Sequence, residues 1–187
     1  KAFIIITTDK VYKIFPNKKN SFSENDFLGG NDPYSMSKVA IENFVSSIYP
    51  KVNFNIVTAR AGNVIGGGDW GEDRIIPDIV KSIKNNKKLI IRNPDSIRPW
   101  QHVLDCLSGY LLLGQFALDN KINSGSAWNI SHYKQNNLKV INIVFAFKKK
   151  FKELKSIIRK DINVKETKIL NLNSSKIKKI LKWKNLW

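Results

Sequence analysis

Two apolar, β-branched runs bracket one strongly capped helix at the start of this chain, and that unit fixes the fold class. Ala2–Thr8 (AFIIITT) reads as a central parallel strand buried on both faces. Asp32-Pro33 is a helix start, with Asp32 as N-cap and Pro33 in the first helical position. The helix is expected to run from Pro33 to about Ile48, with Val39, Phe44, Val45 and Ile48 in the core, and Pro50 closes it. Phe54–Ala59 is the next strand. Strands joined through a crossover helix lie parallel. Between the first strand and the helix, residues 13–31 read as a long polar loop containing Pro16, Asn17, Asn20, Gly29 and Gly30. Loops of this length are commonly functional or disordered.

The alternation continues. A glycine-rich stretch from Arg60 to Trp70 leads to an expected helix over Ile75–Ile83, entered around Pro77. A short strand over Leu89–Arg92, a helix over His102–Leu118 and a strand over Ala127–Ile130 follow. The last expected elements are a helix over Leu138–Phe151 capped by Asn137, a strand over Ile169–Leu172 and a helix over Ser175–Leu181. The pattern implies an α/β fold with a mostly parallel sheet. It lacks the strand, glycine-rich turn and helix that open a dinucleotide-binding sheet: Gly66-Gly67-Gly68 has neither the spacing nor a following helical pattern.

Composition excludes several classes. The chain has 187 residues and one cysteine, Cys106, so a disulfide framework and a cysteine metal site are both ruled out. Two scattered histidines with no ligand cluster imply no metal. No apolar segment is long enough to span a membrane, no signal peptide is visible, and a cytoplasmic, reducing compartment fits. The net charge of +17 invites a nucleic-acid reading. However, the excess is concentrated: residues 134–187 hold 16 basic and 3 acidic side chains, against 16 and 12 in residues 1–133. Most of it is lysine, with no recognition motif, which points to a lysine-biased surface. The competing reading is a basic binding or pairing subunit that uses the long-range field of this region.

Chemistry concentrates at strand ends, where open α/β sheets bind ligands. The first strand ends in Thr7, Thr8, Asp9 and Lys10, and Arg60–Asn63 follows the second. Tyr34 and Lys38 open the intervening helix, four residues apart and on one face. A free tyrosine titrates near 10, and a neighbouring ammonium favours its phenolate. Tyr34 is therefore a candidate base for a substrate hydroxyl, with Thr8 as a hydrogen-bonding partner to the same oxygen. On spacing alone, an ordinary exposed pair explains Tyr34 and Lys38 equally.

The stretches Thr8-Asp-Lys-Val-Tyr12, Leu28-Gly-Gly-Asn-Asp-Pro-Tyr-Ser-Met-Ser-Lys38, Ala59-Arg-Ala-Gly-Asn-Val-Ile-Gly-Gly-Gly-Asp-Trp70, Arg74-Ile-Ile-Pro77 and Ile91-Arg-Asn-Pro-Asp-Ser-Ile-Arg-Pro-Trp-Gln-His-Val103 carry a family resemblance. The chain resembles the extended short-chain dehydrogenase/reductases, specifically the nucleotide-sugar 4,6-dehydratases and within them the subgroup acting on CDP-glucose. That resemblance covers nearly the whole chain. It implies a partial Rossmann-like sheet with a small C-terminal substrate-binding part. Residues 1–65 would carry the catalytic end of the sheet, and residues 66–187 would mainly bind the nucleotide sugar, interleaved with the first part. Other nucleotide-sugar dehydratases and epimerases are the nearest alternatives.

The resemblance also implies roles. Tyr34 would take the 4-hydroxyl proton while hydride passes to NAD, Asp9 would protonate the departing 6-hydroxyl, and the position of Lys10 would serve C5. Lys10 has three readings: a neutral base, a charged group that stabilises the enolate, or an ion-pair partner of an acid. Thr7, Tyr34, Lys38 and Arg60 are the expected cofactor contacts. Asn63, Arg74, Arg92 and Arg98 are the expected substrate contacts, with Arg98 as the pyrophosphate clamp. Asn63 reads equally as an Asx-turn residue and Arg92 as a solvent-facing one. Trp70 and Trp100 are candidates for shaping the pocket. His102 reads as structural, and Asp105 as a dipole-complementing acid in its helix's first turn.

Against the family pattern, the first strands with their glycine-rich NAD turn are missing, and so are the last helices. The strand Ala2–Thr8 would then leave one edge open. The isolated chain is expected to bind NAD poorly and to aggregate, and a separately encoded N-terminal half would rescue it. A homodimer is expected for a complete protein. The implied setting is the biosynthesis of lipopolysaccharide or other cell-surface sugars, with no specific nucleic acid and no membrane as partner.

Overall fold

The computed structural model describes residues 1–15, 21–132, 138–159 and 170–187. In chain order its elements are β1 (Ala2–Thr8), β2 (Ser21–Phe22), α1 (Pro33–Ile48), β3 (Asn55–Ala61), β4 (Val64–Ile65), α2 (Ile75–Lys84) and β5 (Leu89–Ile91). There follow β6 (Gln101–His102), α3 (Val103–Leu118), β7 (Ala127–Ile130), α4 (Val140–Lys150), β8 (Ser156–Ile158), β9 (Asn171–Leu172) and α5 (Ser175–Leu181). This is the expected mixed α/β fold with mostly parallel strands. Among the described residues no helix is long and apolar enough to cross a membrane. The chain divides into two compact units: Lys1–Val64 with Pro99–Gln135 and Leu170–Trp187, and Ile65–Arg98 with Asn136–Ile169.

The first unit is built on a parallel sheet in the order β1-β3-β7. Its two faces differ in chemistry. Val57, Ala59 and Ala61 of β3 and Trp128 and Ile130 of β7 point into an apolar core, closed by Cys106, Leu113 and Ala117 of α3 and by Ile177, Leu181 and Trp183. The alternate residues Thr7, Thr58, Arg60 and Asn129 are polar and buried. Because side chains alternate along a strand, these four share the opposite face. A second apolar cluster joins Val11, Tyr12, Phe22, Val39, Leu170 and Leu172.

Helix α1 follows its sequence signals closely. The Asp32 carboxylate accepts the Ser35 amide at 2.9 Å, and the Ser35 hydroxyl accepts the Asp32 amide at 3.1 Å, a complete capping box. Val39 and Val45 are buried as expected, whereas Phe44 is 60% exposed and Glu42 takes a core-facing position. Strand β1 is not buried on both faces but has the open edge also expected for it, and Phe3 and Ile6 are 47% and 42% exposed. The sheet order explains this: β1 has a paired neighbour only in β3 and forms an edge of the described sheet.

Residues 13–31 are less loop-like than their composition suggests. β2 lies within them and pairs with β9, and Leu28 bridges to Tyr12. The Lys13 amide bonds to Phe27 O and the Gly29 amide to Val11 O, each at 2.8 Å. Gly30 is required by close approach, because a Cβ there would fall 2.6 Å from the Met36 amide nitrogen. Pro16, Asn17 and Asn20 of this segment, the expected cap Asn137, and Ile169 of the expected last strand lie outside the described residues.

In the second unit, α2 and α4 enclose Ile79, Leu89, Ile91, Val144 and Leu154. β5 pairs in parallel with β8, a strand the sequence did not reveal. Arg74 precedes α2, and Lys139 precedes α4 where the cap had been expected at Asn137.

Candidate active site

β1 ends where a short 3-10 turn, Asp9–Val11, turns the chain. Thr8 caps this turn: its hydroxyl accepts the Lys10 amide at 3.3 Å and donates to the Asp9 carboxylate at 3.0 Å. Asp9 is buried and Lys10 exposed. The first turn of α1 brings Tyr34 to the same end of the strand, 51% exposed. Lys10 Nζ lies 6.0 Å from the centre of the Tyr34 ring, and Lys38 Nζ lies 5.9 Å from it. The Lys38 ammonium also reaches Ile6 O at 3.4 Å. Two cations from different elements thus converge on one exposed phenol.

Beneath this cluster lies a buried polar network that the sequence reading missed. Glu42, 5% exposed, accepts the Thr7 hydroxyl at 2.6 Å and the Thr58 hydroxyl at 2.7 Å. Arg60, 4% exposed, closes on the same carboxylate through Nε and Nη2, each at 2.9 Å. Arg60 Nη1 donates to the Tyr12 hydroxyl at 3.0 Å, and that hydroxyl donates to Asn129 Oδ1 at 2.6 Å. Burial works to raise the Glu42 carboxyl, but the bonds and charge of Arg60 and the two threonine hydroxyls outweigh it and hold it below its ordinary range. Burial also pushes the Tyr12 phenol up to about 12, against the pull of Arg60.

The side chains of Thr7 and Arg60, both expected at the cofactor, bond Glu42 on the polar face of the sheet. The available signal was Glu42 itself, four residues beyond Lys38 and eight beyond Tyr34 on one helical face. Asn63 is half-buried just after β3, and its carbonyl accepts the Gln101 amide at 3.0 Å. His102 caps α3, with Nδ1 accepting the Leu104 amide at 3.2 Å, in keeping with its structural reading. Asp105 lies in the first turn of α3 as expected, and its carboxylate also accepts the Leu186 and Trp187 amides.

The expected substrate arginines belong to the second unit. Arg74 Nη1 donates to Asp69 at 3.0 Å and keeps an exposed side chain. Arg92 pairs with Asp73. Arg98 is buried, with Nη1 on Ile97 O at 2.8 Å. Trp70 is half-exposed, with the Lys84 ammonium 5.4 Å from its ring.

A family model described as GDP-mannose 4,6 dehydratase matches residues 1–187. The CDP-glucose 4,6-dehydratase of Salmonella typhimurium is 45% identical over 140 residues, which cover 69% of this chain and 38% of that enzyme. The human dTDP-D-glucose 4,6-dehydratase is 30% identical over 112 residues, covering 59% of this chain and 31% of that enzyme. The matched segments therefore cover well under half the length of either relative. Among solved structures, a UDP-glucuronic acid 4-epimerase from Bacillus cereus, in complex with UDP-glucuronic acid and NAD, superposes on all of this chain with a TM-score of 0.84 at 23% identity. The alignment covers 57% of that protein. A dTDP-glucose 4,6-dehydratase from Bacillus anthracis, in complex with NAD, aligns over 98% of this chain and 56% of its own, with a TM-score of 0.79 at 22% identity. These two likenesses establish the shared fold.

Proposed function

Because the chain belongs to the GDP-mannose 4,6 dehydratase family, we propose that it supplies the proton-handling part of an NAD-dependent nucleotide-sugar 4,6-dehydratase whose substrate is CDP-glucose. The observation that carries this reading is the convergence of Lys10 and Lys38 on the exposed Tyr34 ring beside Thr8 and Asp9. Tyr34, as the phenolate, accepts the 4-hydroxyl proton and becomes the neutral phenol, with the two ammonium groups close to its ring. Thr8 holds the same oxygen. Once a ketone stands at C4, the C5 proton is acidic, and Lys10 serves that position either as base or as the charge that stabilises the enolate. Asp9 protonates the departing 6-hydroxyl.

The residues present fit NAD at one end. Lys38 has three donors and directs one to Ile6 O, so donors remain for the ribose hydroxyls, beside Tyr34. Bound there, beside Lys38 and Tyr34, NAD would supply the hydride acceptor for C4 and the hydride donor for C6. Arg98, Arg74, Arg92 and Asn63 are proposed on the nucleotide-sugar side. In the complete protein we propose a second copy as the partner.

A second reading has its own support: the epimerase fold covers the whole of this chain, so an NAD-dependent nucleotide-sugar epimerase would use the same Tyr34 and Lys38. The discriminating experiment is a chimera in which this chain replaces the matching part of the Salmonella enzyme, assayed with NAD and CDP-glucose, dTDP-glucose or UDP-glucuronic acid. A 4-keto-6-deoxy product from CDP-glucose is expected, together with its loss on Tyr34→Phe. Turnover of another sugar nucleotide alone removes the CDP-glucose assignment. A product epimerised at C4 that keeps its C6 substituent replaces dehydration with epimerisation.

A further inference from the structure

The Glu42–Arg60 pair takes no part in the proton transfers described above, yet it joins both halves of the site. Tyr34, Lys38 and Glu42 are spaced by four residues along α1 and share a face. Glu42 meets β1 through Thr7 and β3 through Thr58 and Arg60. A slip of α1 by one residue would translate it by about 1.5 Å and turn it by about 100°. Four donors on two carboxylate oxygens oppose any such slip.

The network also reaches the other half of the site. Arg60 bonds the hydroxyl of Tyr12, and its guanidinium lies 5.0 Å from the centre of that ring. Tyr12 closes the turn that carries Asp9 and Lys10, with its amide directed to Asp9 O. Asn129 of β7 holds the same hydroxyl. One guanidinium therefore touches the helix of Tyr34 and Lys38 on one side and the end of the Asp9–Lys10 turn on the other.

Stability alone does not explain this arrangement. A buried ion pair is often no more stabilising than apolar residues of equal volume, and the opposite face of the same sheet is apolar. What the fork adds is direction and register. We propose that Glu42 and Arg60 are positioning residues that fix Tyr34 on α1 relative to Lys10 on the turn after β1. The inference rests on the reading of those side chains as one active site.

The test uses the chimera described above, because the isolated chain is expected to aggregate. Nuclear Overhauser cross-peaks from the Tyr34 ring to the side chains of Lys10 and Lys38 are measured in the parent, in Glu42→Gln/Arg60→Met and in Tyr12→Phe. The double variant removes both charges and leaves an amide that can accept from one of the two threonine hydroxyls and donate to the other, and Tyr12→Phe cuts only the link to the turn. The Lys38 cross-peak lies within α1 and reports that the helix is intact. The Lys10 cross-peak crosses between elements. It is expected to fall at least about twofold in both variants while the Lys38 cross-peak holds, because the cross-peak weakens steeply with distance and such a loss is the coupling evidence the proposal needs. If the double variant does not fold, the Lys38 cross-peak disappears too, and Tyr12→Phe decides. Both cross-peaks at parental intensity in a folded variant overturn the proposal. That outcome leaves the dehydratase reading standing. A chimera inert towards every sugar nucleotide, beside a lost Lys10 cross-peak, removes the dehydratase reading and keeps the positioning one.

Discussion

Arg60 closes on Glu42 with two parallel bonds of 2.9 Å, one to each carboxylate oxygen, and both side chains are almost fully buried. Removing either partner strands the other as an unpaired buried charge. Arg60→Met is therefore expected to cost about 3 to 5 kcal/mol. Adding Glu42→Gln is expected to restore a large part of that loss, because no lone charge remains. Urea denaturation of both variants followed by circular dichroism measures the difference. A double variant no more stable than Arg60→Met alone would contradict the pairing.

The acid limb of stability carries the same signature. The Glu42 carboxyl is held below its ordinary value of 4.5 when folded. Its contribution is thus complete above about 4.5 and is lost as the pH falls through the lower folded value. Between pH 7 and 5 this group adds no slope. Glu42→Gln should therefore flatten the fall in melting temperature below pH 4.5. A variant that kept the parental acid slope would place the titrating group elsewhere.

How far the sequence went can be judged on these residues. α1 was legible to both ends because its signals are local: Asp32 caps, Pro33 starts and Tyr49-Pro50 ends it. β7 and α5 were legible for the same reason, as short periodic runs. β3 was read as ending at Ala59, whereas it continues through Arg60 to Ala61. A charged residue after an apolar run normally marks a loop. Here its charge is met by Glu42 from a different element, which local propensity does not register. Phe44 was taken for core on its hydrophobicity, while the neighbouring acid held the buried position. β2 and β8 span only two and three residues, too few to show a period. The clustering of Lys10, Tyr34 and Lys38 came from residue types and strand ends, whereas the network that holds them depends on pairing over long sequence distances.

Lys178, like Glu42, makes stability rise with pH through its own window, but its charged form costs stability where that of Glu42 adds it. Burial lowers the Lys178 ammonium from 10.5 to about 8. Between about 8 and 10.5 the unfolded chain binds more protons than the folded one, so stability from this group rises with pH across that window. At pH 7 the cost of partly burying the charge is present in full. Lys178→Met is expected to stabilise the chain at pH 7 by on the order of 1 kcal/mol, a figure discounted for the exposure that remains. The advantage should vanish as the pH approaches 10.5. Melting temperatures of both proteins across that range test it, and a gain that grew with pH would reverse the assignment.

Gly62 stands between β3 and Asn63, where the backbone of Pro99 passes close by. A Cβ at Gly62 would lie 2.3 Å from Pro99 Cγ and 2.9 Å from Pro99 O. Neither atom can swing aside, since one belongs to a ring and the other to the main chain. The neighbouring bond from the Gln101 amide to Asn63 O, 3.0 Å, must absorb the displacement. Gly62→Ala is therefore expected to destabilise by about 1 to 3 kcal/mol, as overpacking does. It should also speed hydrogen exchange at the Gln101 amide more than at the amides of β3. Because Asn63 is a proposed substrate contact, the chimera carrying Gly62→Ala should lose affinity for the nucleotide sugar while Tyr34 and Lys38 keep their places. A loss of stability with Gln101 exchange unchanged would mean that the strain is relieved elsewhere, and the proposed link from Gly62 to Asn63 would fail.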